Sequence, residues 1–386
     1  MTRSQANMAL NQRPLLVLGI MSGTSIDSVD FAVCSVRECA IVLRQYWQAP
    51  FPGWLRRRLV EAARGDSRSH ELAQLHHDLG RFYADEARRG LGKRKPCLVG
   101  LHGQTIFHRP ATHNAATFQL GEPAYLAETL GVPVVNNFRA ADLAAGGQGA
   151  PLATLFHKVV FGEIGRHVCI NNLGGISNVT SLDWRRGQKP NISAFDTGPA
   201  NMLIDLAVQR LTQGKARMDA DGRWARKGTV CEELLAKWMR HPYFFQKPPK
   251  STGREMFGER FLVPALSEMK RRKLSKFDLL ATFTELTARS IVLNYRLHLP
   301  AKLERVILAG GGAANSFLVE RIREQFGLLH PGLMETCEAR GWPLQSVEPA
   351  AFALLAFYRF IGKSGNMPAT TGARRAVLLG QVSGKC

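Results

Sequence analysis

Leu18-Gly19-Ile20-Met21-Ser22-Gly23-Thr24-Ser25-Ile26-Asp27 is answered later in the chain by Asn171-Asn172-Leu173-Gly174-Gly175-Ile176-Ser177-Asn178. Each stretch carries an apolar run into a turn of small residues and out into a second β-like run. In the first, Leu15–Met21 leads to Phe31–Val36; in the second, His167–Leu173 leads to Ser177–Leu182. Literal identity is slight, so the repeat is one of pattern. Small residues let backbone N–H groups and hydroxyls come close to phosphate oxygens. Two such hairpins facing each other across a cleft would cradle a polyphosphate.

Outward from the hairpins, strands alternate with helices, which predicts an α/β architecture. Ile41–Trp47 extends the first sheet. Leu72, Leu75, Leu79, Phe82 and Tyr83 recur at helical spacing within His70–Leu91. Leu98–His102 and Pro133–Asn136 read as further strands. In the second round, Ser193–Asp196 is a short third strand and Arg305–Ala309 a buried one. Ser275 with Asp278 makes a capping box, and the helix it opens sets Leu279, Leu280, Phe283, Leu286, Ile291 and Asn294 on one side. Pro349–Ile361 is a final apolar helix. The glycine-rich Ala144–Gly149 predicts a hinge, which divides the chain into 1–145, joined by the C-terminal helix, and 146–386.

The 386 residues, 45% hydrophobic and 21% charged, suffice for two domains with substantial cores. No apolar run approaches the roughly 18 residues of a membrane span. Met1–Pro14 is polar and Leu15–Ile20 too short for a signal-peptide core, so a cytoplasmic enzyme without membrane association is expected. The seven cysteines form no CxxC pair, which argues against a zinc or redox motif. Lys and Arg exceed Asp and Glu by 51 − 31 = 20. They fall in short separate clusters without interleaved aromatics, so a solvated surface is preferred to nucleic-acid binding. A positive field also draws in anionic substrates.

Several segments carry chemistry. Ser22, Gly23, Thr24 and Ser25 supply a phosphate turn, and Asp27 and Asp30 supply carboxylates able to hold hydrated Mg²⁺. Phe195-Asp196-Thr197-Gly198-Pro199 puts a carboxylate at a strand end, where it acts as a base or caps the next helix. Gly310-Gly311-Gly312 follows a buried strand, a place where glycines admit a nucleotide. It is not GxGxxG, which disfavours a dinucleotide dehydrogenase. His102-Gly103-Gln104-Thr105 and Gly146–Leu152 offer groups suited to a polyhydroxylated ligand. Lys250–Glu255 contacts a ligand or caps a helix.

In order, Met21–Asp27 (MSGTSID), His102–Thr105 (HGQT), Gly146–Leu152 (GGQGAPL), Asn172–Asn178 (NLGGISN), Phe195–Pro199 (FDTGP), Lys250–Glu255 (KSTGRE) and Gly310–Gly312 resemble the anhydro-N-acetylmuramic acid kinase family. The resemblance runs over about residues 17 to 382. It implies a two-domain actin/hexokinase/Hsp70-like (ribonuclease H-like) fold with a central cleft that closes over ATP and sugar. It implies opening of the 1,6-anhydro bond coupled to phosphorylation, giving N-acetylmuramic acid 6-phosphate in peptidoglycan recycling. It also implies a homodimer. Carried over residue by residue, Gly23, Thr24, Ser25, Ile26, Asp27, Ser28, Val29 and Asp30 would bind ATP, with Gly174, Gly175, Gly310, Gly311 and Gly312. Asp196 would be the base, activating water at the anomeric carbon. His102, Gln104, Thr105, Gln148 and Glu348 would meet the sugar, and Asp27 would hold Mg²⁺.

The chain departs from the family pattern at named places. Ser28 and Ala200 stand where it has glycine, Asn137 where it has aspartate and Ala314 where it has arginine. Leu344-Gln345-Ser346-Val347-Glu348 lacks the Gly-Asp pair and keeps Glu348. These departures define two rival expectations: a kinase of the same fold for another amino sugar, or an impaired homologue that binds nucleotide or nucleic acid.

Overall fold

The structure, a computed structural model, describes residues 13–23, 25–110, 114–187, 189–300, 302–328 and 332–384. They form two compact units. Unit 1 comprises the described residues up to Phe161 and from Gln345 onward; unit 2 is Gly162–Leu344.

Unit 1 is built on β1 (Leu15–Ser22), β2 (Ser28–Arg37), β3 (Ala40–Pro50), β4 (Leu98–Arg109), β5 (Ala116–Leu120) and β6 (Val134–Asn136). Its apolar strands pair in the order β3-β2-β1-β4-β6, with Gln381–Ser383 beyond β6 and β5 on β4. β1, β2 and β3 run antiparallel in succession, while β4 is parallel to β1 and β6 parallel to β4. Helices Gly53–Arg64 and Ser69–Leu91 bury Leu55, Leu59, Leu75, Leu79 and Tyr83 with Leu18, Ile20, Phe31 and Val33 of the sheet. Helix Val347–Phe360 comes so close to the sheet that only glycine fits below it. A Cβ on Gly19 would lie 1.8 Å from the Pro349 carbonyl oxygen, and one on Gly100 2.3 Å from that of Phe352.

Unit 2 repeats the order with β7 (His167–Leu173), β8 (Ile176–Asp183), β9 (Asn191–Pro199), β10 (Arg305–Ala309) and β11 (Leu333–Thr336), arranged β9-β8-β7-β10-β11. Again the first three strands are antiparallel and β7, β10 and β11 parallel. Helix Lys276–His298 starts at the Ser275–Asp278 capping box and packs Ile291, Val292 and Tyr295 against Cys169, Val179 and Val306. This strand order, present twice, is the ribonuclease H-like arrangement of actin/hexokinase/Hsp70-type proteins, as the sequence implied.

The division between units differs from the expected break after residue 145. The Gly146–Gly149 segment is tied into unit 1 through Asp142. Gly147 N–H donates to the Asp142 carbonyl at 2.9 Å and Gly149 N–H to its Oδ2 at 2.7 Å. Gln148 N–H bonds the Thr371 carbonyl at 2.8 Å, and Asn366 and Thr371 both donate to Asp142 Oδ1 at 2.8 Å. The glycines follow the chain around a buried carboxylate, so the border falls beyond helix Thr154–Phe161. Among the described residues, no helix is long and apolar enough to cross a membrane. Cys34, Cys169 and Cys337 are buried free thiols; Cys386 lies outside the described residues.

Candidate active site

The connection from β1 to β2 begins after Ser22, which pairs with Val29. Ile26 N–H closes the turn on the Gly23 carbonyl at 3.2 Å. Ile26 is buried yet has φ of 56°. Holding a β-branched residue in the left-handed region costs on the order of 1–3 kcal/mol, and such strain in a turn points to function. Packing of its side chain in the unit 1 core offsets that cost. A Cβ on Gly23 would meet nothing nearer than Ser25 Oγ at 4.0 Å, so the protein itself imposes no need for glycine there. Ser25 is exposed, and Thr24 lies outside the described residues.

From β4, buried Gln104 donates through Nε2 to the Gly23 carbonyl at 3.1 Å. Its Oε1 is buried without a partner among the described residues, an acceptor left for a ligand's donor. Asp27, with 44% of its side chain exposed, faces Arg56 at 3.2 Å. Magnesium takes one or two protein carboxylates and completes its shell with phosphate and water; an accessible Asp27 beside this turn fits that demand. Ser28 and Val29 are ladder residues of β2. Asp30 is engaged within its own sheet, accepting from Tyr46 Oη at 2.6 Å and Gln48 Nε2 at 3.1 Å. Burial outweighs these bonds and pushes its carboxyl up to about 6.

A second polar group gathers around Arg139, at the start of helix Phe138–Ala144. His102 Nδ1 lies 2.8 Å from the Gly103 carbonyl and its Nε2 accepts from the Arg139 guanidinium at 2.8 Å. Burial and the neighbouring cation hold this imidazole neutral, well below its ordinary range. Arg139 also donates to the Gly149 carbonyl at 2.6 Å. Burial lowers the guanidinium to about 10 against the opposing charges of Glu348 and Asp142. His102 and Glu348 thus share one arginine, and Gln148 joins them through its backbone beside His108. Thr105 accepts from Gln119 at 3.3 Å.

In unit 2, Asp196 lies opposite Asn178, next to the register shift in the β8–β9 ladder. It does not cap the following helix Asn201–Leu211, whose N-cap is Ala200. Thr252 N–H donates to its Oδ2 at 2.9 Å. Burial raises the carboxyl to about 7, with Glu255 adding to the rise while the Thr252 bond and Lys250 oppose it. That places it near the working pH, as suits a general base.

The glycines separate into two kinds. Gly310, at φ of 80°, would put a Cβ 2.3 Å from Asn172 Oδ1, and Gly312 would put one 2.6 Å from Asn201 Nδ2. Both let the 3₁₀ turn Gly311–Ala314 lie against the end of β7, while Gly311 is exposed. At the β7–β8 turn, the Gly174 and Gly175 carbonyls accept from the N–H groups of Asn201 and Ala200 at 3.1 and 2.9 Å.

The family model for anhydro-N-acetylmuramic acid kinase matches residues 15–385. The chain belongs to the anhydro-N-acetylmuramic acid kinase family. A relative of that name from Cyanothece sp. (strain PCC 7425 / ATCC 29141) is 41% identical over 377 residues, covering 95% of this chain and 98% of that protein. Another, from Crocosphaera subtropica (strain ATCC 51142 / BH68), is 40% identical over 376 residues with the same shares covered. Among solved structures, a ROK family glucokinase from Streptomyces griseus in complex with glucose and AMPPNP aligns at 14% identity and a TM-score of 0.39, over 89% of this chain and 99% of that one, too loose a likeness to bear on chemistry.

Within this member of the anhydro-N-acetylmuramic acid kinase family, sequence reasoning passed over Arg139, Tyr243 and the role of Asn294. Arg139 had one signal, its place after the odd Asn137, which adopts φ of 51°. Lys250 was read as a ligand contact or helix cap; its ammonium is instead committed inside unit 2.

Proposed function

We propose that the chain uses ATP and water to convert 1,6-anhydro-N-acetylmuramic acid to N-acetylmuramic acid 6-phosphate and ADP, in cell-wall recycling. The observation that carries this reading is a half-buried Asp196 inside β9, which runs on to Pro199 past the expected strand end, beside the register shift of its ladder, fixed by the Thr252 N–H and poised near pH 7. Asp196 takes a proton from water as its oxygen bonds to the anomeric carbon and the C1–O6 bond breaks. O6, carrying the released electron pair, takes the γ-phosphoryl group, and ADP leaves. Gly23, exposed Ser25 and exposed Gly311 would meet the nucleotide. Magnesium at Asp27 would offset phosphate charge. The unpartnered Gln104 Oε1 and the Arg139 group with His102, Gln148 and Glu348 would meet the sugar, with Thr105 at its edge. Family membership also supports a homodimer acting in the cytoplasm.

A second reading is a kinase for another amino sugar, favoured by Gln345. It lies in the Leu344–Glu348 segment that lacks the family's Gly-Asp pair, and its Oε1 accepts from Gln48 at 2.7 Å. The test is ATP turnover on a panel of anhydro and ordinary amino sugars, with products identified by mass and NMR in ¹⁸O-labelled water. Label at the anomeric carbon of a 6-phosphate is expected. Turnover confined to sugars without an anhydro bond would replace the first reading with the second.

A further inference from the structure

We infer that Lys250 is the positioning residue of this site, its ammonium tying together Tyr243 and Asn294, the two residues whose side chains hold the carbonyls of Asp196 and Thr197. This rests on Asp196 being the base.

The geometry is closed on all sides. Lys250 is buried, and its Nζ donates to Asn294 Oδ1 at 2.6 Å and to the Tyr243 and Phe244 carbonyls at 3.2 and 3.3 Å. An ammonium has three donors, and all three are engaged, so none remains for a phosphate or sugar. Tyr243 Oη donates to the Asp196 carbonyl at 2.8 Å. Asn294 Nδ2 donates to the Thr197 carbonyl at 3.1 Å. The Lys250 carbonyl itself accepts the Asp196 N–H at 3.1 Å. Two residues on, Thr252 N–H meets the carboxylate. Lys250 and its two partners therefore hold the N–H and carbonyl of the base and the carbonyl of the residue after it.

Its charge acts as well. The charged and titratable groups acting on Asp196 or Lys250 are each other, Glu255, Tyr243 and His298, the last of which also meets Lys247. Glu255 raises the Asp196 carboxyl and Lys250 lowers it. The ammonium lies 4.9 Å from the Tyr243 ring centre and 5.9 Å from that of Phe195, partners that help retain a buried cation.

The experiment compares pH profiles of kcat/KM for the native chain, Asp196→Asn, Lys250→Met, Glu255→Gln and Tyr243→Phe. The native acid limb should vanish in Asp196→Asn. In Lys250→Met it should move up by about one unit or more, the scale set by loss of a nearby opposite charge, and in Glu255→Gln it should move down. Tyr243→Phe should lower kcat roughly tenfold with KM held and the limb unmoved, as expected for one lost hydrogen bond at the base. A native limb that is absent, or that survives Asp196→Asn, overturns the base and this inference together. A limb that belongs to Asp196 yet stays put in a folded Lys250→Met protein overturns the role of Lys250 alone. Should Lys250→Met not fold, an unchanged kcat in Tyr243→Phe overturns the inference.

Discussion

Gln104 holds Gly23: its Nε2 reaches across from β4 to the carbonyl that opens the β1–β2 turn, at 3.1 Å. The turn is therefore ordered by the sheet, while the space above Gly23 is left clear. Gly23→Val should fold and melt within a few degrees of the native chain. If this turn carries the nucleotide, the variant's affinity for an ATP analogue should fall tenfold or more, about 1.4 kcal/mol, because the side chain starts into the open space at Gly23. Calorimetric titration checks this; undiminished affinity would remove Gly23 from the nucleotide site.

Asp196→Asn keeps the acceptor for Thr252 N–H and loses the base. Turnover should drop by roughly two orders of magnitude or more, with binding of both substrates retained. In the native chain the base works when ionised, so with a carboxyl near 7 kcat/KM should rise with pH through that value, until the Lys250 ammonium, which burial lowers to about 8, loses its proton. Below the carboxyl's value, the rate should fall about tenfold per unit. Stopped-time assays across pH 5–9 read both effects.

Asp30 gives a stability signature of known sign. Its folded carboxyl, at about 6, lies above the ordinary 3.8, so the folded chain binds more protons than the unfolded one between those values. Stability from this group therefore declines as pH rises through that window, by about 3 kcal/mol at neutral pH. Asp30→Asn can still accept from Tyr46 and Gln48 without the buried charge. Urea unfolding of the ligand-free chains should show the variant gaining on the native protein from pH 4 to 7.5. A difference that stays constant with pH would contradict the assignment.

The three glycines at 310–312 should part company. Gly310→Ala combines a positive φ with a 2.3 Å approach to Asn172, and Gly312→Ala drives a methyl into Asn201 and Leu173. Each should cost about 2 kcal/mol or more of stability. Exposed Gly311→Ala should leave the melting temperature nearly unchanged and weaken ATP binding. Equal destabilisation by all three would make Gly311 structural too.

What the sequence makes legible is local. The two hairpins follow from apolar runs broken by small residues, and the Ser275–Asp278 box marks the start of its helix. β5 and Gln381–Ser383 escape because both are short and carry little apolar pattern. The unit border escapes because Asp142 gathers Asn366 and Thr371 from more than two hundred residues away. The candidate site divides the same way. Asp196 announces itself within Phe195–Pro199, but Asn294 reads simply as part of a helix's buried side. Its bonds to Lys250 and Thr197 exist only once β9, the 243–250 segment and that helix are assembled.

The helix that requires Gly19 and Gly100 to be bare is synthesised only after all of unit 2. Unit 2 is one uninterrupted stretch, whereas the sheet bearing the β1–β2 turn lacks its covering helix until residues 347–360 have been made. At about 5–20 residues per second, the roughly 190 residues from Gly162 to the start of that helix take about 10–40 s to synthesise. During that interval the β1–β4 surface waits uncovered while unit 2 is free to fold. A nascent chain stalled before residue 347 should thus display a protease-resistant unit 2 joined to a first half still open to cleavage, making vectorial synthesis the step at which a nucleotide site can first exist.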